Sequence, residues 1–279
     1  MKIRFLDEAF RTLKYLKRRR RALAEIATRS VAPQPHPLDT KLIVSMTSYP
    51  PRFEKLATTL KGVLHQTMAA DQTILWIAKD DINLLPNSVL DLRSDGVEIR
   101  SCPDLRSYKK ILPLLKEAPD ATIVTADDDV YYRPDWLSKI VTAHHQSRAP
   151  VVCVRGHLIK LQDNGQPRPY GEWHMNYSPA TQSGLIFPTG VLGILYAPGC
   201  FDPRVTDWDM ASTLCPTADD IWLYWMHRLN GAEALRFGGH HRVLEWERNP
   251  KESLLTVNAT GGNDRQIAAM IDHFGWPDL

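Results

Sequence analysis

Apolar and polar positions in the first half of the chain follow two periods that alternate with one another. Short runs rich in β-branched residues predict buried strands: Leu42-Ile-Val-Ser-Met46, Thr73-Ile-Leu-Trp-Ile-Ala78, a stretch near Val97-Glu-Ile-Arg100, and Ile123-Val124 ahead of three aspartates. Between them Phe53, Leu56, Leu60 and Val63 recur at helical spacing, and Ile111, Leu114 and Leu115 mark a further helix. Such alternation predicts an α/β fold, a mostly parallel sheet flanked by helices. Ligands of these sheets gather beyond the carboxyl ends of the strands. Two polar stretches fall at such ends, residues 47–52 and 127–129, so one ligand site can use both.

The second half is less regular. Residues 163–184 are rich in Gly, Pro, Tyr, Trp and His, which suits a substrate-facing loop or a plain surface excursion. Pro188-Thr-Gly-Val-Leu-Gly-Ile-Leu-Tyr196 predicts a single strand whose glycines let the backbone approach a ligand. Thr217 is a good N-cap with Asp220 three residues on, and the helix it opens is expected to stop at Asn230-Gly231. At the other end of the chain, Ile3, Leu6, Phe10 and Leu13 form the apolar stripe of a basic amphipathic helix. The expected division is a helix over 1–30, a proline-punctuated linker over 31–40 and a body over 41–279.

Charge sharpens the picture at the N-terminus. The net charge of the 279 residues is +2, yet residues 1–30 hold ten Lys/Arg against three Asp/Glu, leaving the body mildly acidic. A helix of this kind can lie on an anionic membrane surface or dock on the body. No recognition motif accompanies the charge, and nucleic acid is not expected as a partner. The four cysteines lack C-x-x-C spacing and give no disulfide framework. No apolar run approaches the roughly 20 residues of a membrane span, and Lys and Arg interrupt any signal-peptide core. The expected location is cytoplasmic, peripheral on the inner face of the cell membrane.

The chemistry centres on Thr122-Ile-Val-Thr-Ala-Asp-Asp-Asp-Val-Tyr-Tyr132. If the chain stays extended past the strand, Asp127 and Asp129 point to one face and Asp128 to the other. Two converging carboxylates repel unless a cation, a proton or strong donors lie between them. Hard oxygen ligands on this spacing suit Mg²⁺ or Mn²⁺, which keep water and bind substrate phosphates. Arg52 and Lys110 can balance a diphosphate, Arg as a planar fork and Lys as a point charge. Tyr49 can pack on a base, and Asp104 can accept from a base or ribose. A phosphatase using Asp-x-Asp-x-Thr is disfavoured, because Tyr131 stands at the Thr position.

The ordered phrases Val44-Ser-Met-Thr-Ser-Tyr-Pro-Pro-Arg-Phe53, Ser107-Tyr-Lys-Lys-Ile-Leu-Pro113, the Asp triplet and Pro216-Thr-Ala-Asp-Asp-Ile-Trp222 resemble the GT-A glycosyltransferases. More narrowly they resemble bacterial family-2-like enzymes that build surface polysaccharides, over roughly residues 41 to 265. The resemblance implies a Rossmann-related GT-A fold and donor contacts from Thr47, Tyr49, Arg52, Asp104, Lys110, Asp127, Asp128 and Gly190. It implies cation ligands from Asp127, Asp129 and a late histidine, His240 or His241. It makes Asp219 and Asp220 the acidic motif of the acceptor side, with Asp220 as base; the residues alone read equally as a helix cap. Trp222 or Trp225 then stacks on an acceptor sugar or belongs to the core. Asn258 and residues 261–264 resemble the family's C-terminal segment. The Pro-x-Tyr-Asn opening of many relatives is absent after the first strand, so no base is implied.

The function expected is transfer of a sugar from a nucleotide-sugar donor to a glycan or lipid-linked acceptor, dependent on Mn²⁺ or Mg²⁺ and inverting, in surface polysaccharide synthesis. A nucleotidyltransferase on a similar sheet is the enzymatic alternative, and a non-catalytic membrane- or polyanion-binding protein is the other.

Overall fold

The computed structural model describes residues 2–247 and 261–277, with side chains from Phe10 onward. Asn258 and the side chains of Ile3 and Leu6 lie outside the described residues. The first half reads α1 (Lys2–Thr28), β1 (Leu42–Thr47), α2 (Phe53–Leu64), β2 (Gln72–Ala78), α3 (Asn87–Leu90), β3 (Val97–Cys102), α4 (Leu112–Glu117) and β4 (Thr122–Ala126). The second half reads α5 (Trp136–Ser147), β5 (Val151–Cys153), β6 (Gly156–Leu158), β7 (Ala180–Ser183), β8 (Ile186–Pro188), β9 (Ile194–Tyr196), α6 (Trp208–Leu214), α7 (Asp219–Leu229), β10 (Ala234–Phe237) and α8 (Asn263–Phe274).

Eight of these strands form one sheet in the order β3-β2-β1-β4-β9-β5-β10-β7, while β6 and β8 pair separately. β3, β2, β1 and β4 are parallel; β9 enters antiparallel between β4 and β5, and β7 is antiparallel on β10. This is the α/β layout expected from the alternating pattern. Leu42, Val44 and Met46 face a cluster with Leu56 and Leu60 of α2 and Leu137 and Ile140 of α5. Ile43 faces the other way, with Ile74, Trp76 and Leu114. Burial on both faces explains why β1 and β4 lack a polar alternation.

The chain leaves β1 toward β2 and returns across it to β4, so the strand order reverses between β1 and β4. Sheets of this kind take their ligands at such a switch point, beyond the carboxyl ends of both strands. The two polar stretches at residues 47–52 and 127–129 flank it.

The basic helix is no separate appendage. Ala22 and Ile26 are buried against Leu244 and Trp246, with Tyr15, Leu23 and Tyr131 around them. Just past the helix end, the buried Arg29 guanidinium donates to the Gly62, His65 and Tyr132 carbonyls at 2.9, 3.1 and 2.9 Å and forks Glu25 at 2.7 Å. Phe10 and Leu13 lie nearly opposite this docked face, Leu16 lies at its flank, and all three are exposed. Lys14, Lys17, Arg20 and Arg21 are exposed alongside them. α1 therefore has two apolar faces, one used by the body and one left to solvent.

Candidate functional site

Five backbone positions after β4 are held from three directions. The Asp127 N–H donates to the Tyr132 hydroxyl at 2.7 Å, and the Asp128 carbonyl accepts from Thr59 of α2 at 2.7 Å. The Asp129 carbonyl accepts from the Trp246 N–H at 2.8 Å, and the Tyr131 N–H donates to the Leu244 carbonyl at 2.9 Å. The Tyr132 carbonyl accepts from Arg29. An acidic turn held this way cannot relax to separate its carboxylates.

The three carboxylates then divide the work. Asp128 is 6% exposed and committed: Ser48 Oγ donates to it at 2.5 Å and Arg52 Nη1 at 2.7 Å. Burial pushes its carboxyl up, and Arg52 and Ser48 oppose that. Asp127 and Asp129 are 25% and 32% exposed and stay partly open. Asp129 lies 2.9 Å from Arg52. Burial first, then the charge of Asp127, pushes Asp129 up to about 7. Burial pulls Arg52 down, but Asp128 and Asp129 outweigh it and hold the guanidinium above its ordinary value. The Arg52 guanidinium also lies 5.5 Å from the Tyr49 ring centroid.

Lys110 joins this acidic turn to a second acidic centre. Its backbone is fixed by Ser45 Oγ, which donates to the Lys110 carbonyl at 2.6 Å. Its Nζ lies 3.1 Å from both Asp127 and Asp219. Burial alone would lower the ammonium, and Asp127, Asp219 and Asp220 hold it well above its ordinary value.

The expected strand over residues 188–196 is broken. β8 stops at Pro188, a turn closes from the Gly193 N–H to the Gly190 carbonyl at 2.8 Å, and β9 starts at Ile194. Leu192 takes φ 70°, a costly conformation for a side chain with a Cβ, and Trp136 Nε1 secures it by donating to the Leu192 carbonyl at 2.6 Å. At Gly193, φ 91°, a Cβ would lie 2.8 Å from both the Thr125 carbonyl and the Trp136 ring, so only glycine fits. The turn places the Gly190 N–H 3.1 Å from each carboxylate oxygen of Asp220. A Cβ on Gly190 would stand 3.1 Å from Lys110 Nζ, 3.2 Å from Asp220 Oδ1 and 3.7 Å from Asp127 Oδ1. Gly190 is thus the point where both acidic centres meet.

The capping-box expectation for α7 is overturned. The helix begins at Asp219, after Ala218, and no side chain caps it locally. Gln266 of α8 serves instead, accepting from the Thr217 and Ala218 N–H groups at 3.0 and 3.1 Å and donating to Thr217 Oγ1. Asp220 is released from capping and turns to Gly190. Burial first, then the charge of Asp219, pushes Asp220 up to about 7, against Lys110 and the Gly190 N–H. Trp222 and Trp225 are core residues, their indoles bonded to the Val205 and Gly275 carbonyls, and neither is open to an acceptor.

Other sequence candidates lie as follows. Thr47 Oγ1 is spent on the Trp76 carbonyl at 2.9 Å, and Asp104 pairs with Lys109 at 2.8 Å, which holds its carboxyl below the usual range together with the Arg106 N–H. His240 is exposed; His241 bonds the Gly238 carbonyl, packs edge-on against Phe237 and lines a hollow with Ser138 and Thr142 of α5. Among the described residues no three His, Cys, Asp or Glu side chains gather as a metal-binding group. All four cysteines are free and buried.

Two residues of the cleft escape the sequence reading. Glu245, reached through the Trp246 segment, adds negative charge near Asp129. Arg155, after β5, donates from Nη1 to Thr189 Oγ1 at 3.1 Å and from Nε to Asn176, and feels Asp220 and Glu245. Neither stands in a motif; only the long-range pairing of β6 with β8 and of Val130 with Glu245 brings them in.

No family model matches the chain, and no curated protein matches it. Among solved structures, the mannosyltransferase PcManGT from Pyrobaculum calidifontis, in complex with GDP-Man and Mn²⁺, is 18% identical over 50% of this chain and 43% of its own, with a TM-score of 0.34. S. aureus TarS (residues 1–349), in complex with UDP-GlcNAc, is 14% identical over 77% of this chain and 60% of its own, with a TM-score of 0.49. The 4-diphosphocytidyl-2C-methyl-D-erythritol synthase from Anaerococcus prevotii is 14% identical over 79% and 96%, with a TM-score of 0.45. The chain thus spans less than two thirds of the length of the first two. At these identities and scores the likeness says nothing of chemistry.

Proposed function

We propose that the protein is a nucleotide-sugar-dependent glycosyltransferase, using Mn²⁺ or Mg²⁺, with Asp220 as the base that activates the acceptor hydroxyl. The observation that carries this reading is the junction at Gly190, where one lysine ties an acidic turn at a sheet switch point to a second carboxylate pair. The outer carboxylates fit a cation: Asp127 and Asp129 are the two of the triplet left partly exposed, and burial with the charge of Asp127 holds Asp129 near 7. When bound, the ion would offset the diphosphate charge and stabilise the departing nucleoside diphosphate. Arg52 and Lys110, already beside the carboxylates, add fixed positive charge for the same phosphates. Asp128 holds Arg52 in place. Tyr49 offers a ring beside that guanidinium for a base.

On the other side, Asp220 takes the proton of the acceptor hydroxyl as the oxygen bonds to the anomeric carbon and the diphosphate leaves, a single inverting displacement. A carboxyl held near 7 matches a base that must work at neutral pH. The exposed stripe of Phe10, Leu13 and Leu16 with its flanking Lys and Arg is a surface for anionic lipid, on the inner face of the cell membrane, which suits a lipid-linked or glycan acceptor in surface polysaccharide synthesis.

The test is calorimetry with a panel of nucleotide sugars and nucleoside diphosphates, with and without Mn²⁺, followed by product analysis. Metal-dependent binding that Asp129→Asn abolishes, and slow release of nucleoside diphosphate, are expected. Affinity equal with and without metal, or release of pyrophosphate, would overturn the reading.

A further inference from the structure

The positive groups of the cleft are not equivalent. Arg52 is paired with Asp128 and Asp129, and Lys110 with Asp127 and Asp219. Arg155 is half-buried and held by two neutral partners, Thr189 and Asn176, and among the described residues no carboxylate lies within ion-pair distance. Thr189 is the residue before Gly190, so this guanidinium sits one residue from the N–H that binds Asp220. Two neutral hydrogen bonds fix its direction without cancelling its charge. A partly buried guanidinium with Asp220 and Glu245 only at a distance favours an anion beside it.

A second observation falls at the same place. Asn263, the first residue of α8, is 8% exposed, and among the described residues its buried Oδ1 has no hydrogen-bond partner. Its side chain bonds the Tyr170 hydroxyl, which feels both Asp220 and Arg155. The Tyr170 N–H is fixed by Asp264 at 2.7 Å. Buried acceptors in native proteins are nearly always satisfied. An unused carbonyl oxygen therefore asks for a donor such as a hydroxyl, beside a guanidinium that asks for an oxyanion.

Resting on Asp220 as the acceptor base, we propose that Arg155, Tyr170 and Asn263 form a subsite for a phosphate-bearing polyol or sugar acceptor. Arg155 binds the phosphate as a fork, Asn263 Oδ1 accepts from a neighbouring hydroxyl, and Asp220 faces the hydroxyl that reacts. The acceptor class is an anionic one, and the phosphate lies within a few bonds of the attacking oxygen.

The experiment uses the full-length protein and three small probes, glycerol 3-phosphate, glycerol and inorganic phosphate, measured by calorimetry or ligand-observed NMR. Binding of nucleoside diphosphate with Mn²⁺ is measured in parallel. Wild type should bind glycerol 3-phosphate more tightly than either other probe. Arg155→Ala and the more conservative Arg155→Gln should weaken it at least tenfold and leave nucleoside diphosphate affinity within twofold. Asn263→Ala should erase the preference for glycerol 3-phosphate over inorganic phosphate. Glycerol 3-phosphate affinity unchanged in both Arg155 variants overturns the subsite, as does loss of nucleoside diphosphate binding in its place. Failure of the donor reading looks different: wild type then binds no nucleoside diphosphate with metal, whatever stands at 155.

Discussion

Replacing Asp220 with Asn should make the protein slower and, above neutral pH, more stable. In the folded protein Asp220 keeps its proton to about 7, whereas its ordinary value is 3.8. Between those values the unfolded chain has released a proton that the folded one retains, so stability falls as pH rises and levels off above about 7. Each unit of such a gap is worth about 1.4 kcal/mol. Asp220 borders the open cleft, and solvent screening leaves on the order of 1–2 kcal/mol of this cost. Asn is isosteric, its carbonyl oxygen can still accept from the Gly190 N–H, and Lys110 keeps Asp127 and Asp219. The variant should therefore melt slightly higher than wild type at pH 5 and higher still at pH 8. Turnover should fall by roughly 10²–10⁴ with donor affinity nearly intact, the signature of a lost base. Wild-type turnover should itself drop about fivefold from pH 7 to pH 6, since a base with a value near 7 goes from about one-half to about one-tenth ionised. Melting curves from pH 5 to 9 and release of nucleoside diphosphate measure both effects. Turnover within a fewfold of wild type, with a melting point lowered at every pH, would refute the assignment.

Gly190→Ala would press a methyl carbon between Lys110 and Asp220, each held by several partners; turnover should fall about tenfold or more with stability changed by about 1 kcal/mol, read by kinetics alongside melting. Arg29→Met removes donors to three backbone carbonyls; a loss on the order of 2–3 kcal/mol and weaker metal-dependent nucleotide binding are expected from denaturation and calorimetry. Changing Phe10, Leu13 and Leu16 together to Ser should abolish co-sedimentation with anionic liposomes and move the melting point little, because these side chains are exposed. Deleting residues 1–30 would instead remove Arg29 and confuse attachment with folding.

The parallel half of the fold was legible in the sequence because two-sided burial writes itself into the strands. Leu42–Met46 and Ile123–Val124 carry no polar alternation, and the polar residues that follow mark where each strand leaves the core. Arg52 and the Asp residues lie at those exits, and the structure gathers them with Lys110. What the sequence hid depends on partners far along the chain. Gln266 takes the cap that Thr217 and Asp220 seemed to share, and this decides where Asp220 points. A tryptophan at 136 stabilises a left-handed Leu192 and breaks a stretch that reads as one strand. Trp222 and Trp225 carry no local sign that their indoles bond to carbonyls at Val205 and Gly275. Arg155 and Asn263 sit in unremarkable local sequence and meet only through the packing of β6, β8 and α8.

A helix bound to the body along one face and apolar on its exposed face is a bracket. The Tyr15 hydroxyl donates to the Glu245 and Trp246 carbonyls at 3.1 and 2.8 Å and Arg29 to the Tyr132 carbonyl at 2.9 Å, so α1 is fixed at two points to the segments around Asp127 to Asp129. The distance from the exposed stripe to the cleft is therefore set by backbone geometry. A surface held by Phe10, Leu13 and Leu16 would meet the cleft at one stand-off and one orientation. Acceptors anchored in that surface would then be sorted by reach: a hydroxyl too near its anchor, or tethered at the wrong angle, would never arrive at Asp220 however well its chemistry suited the site.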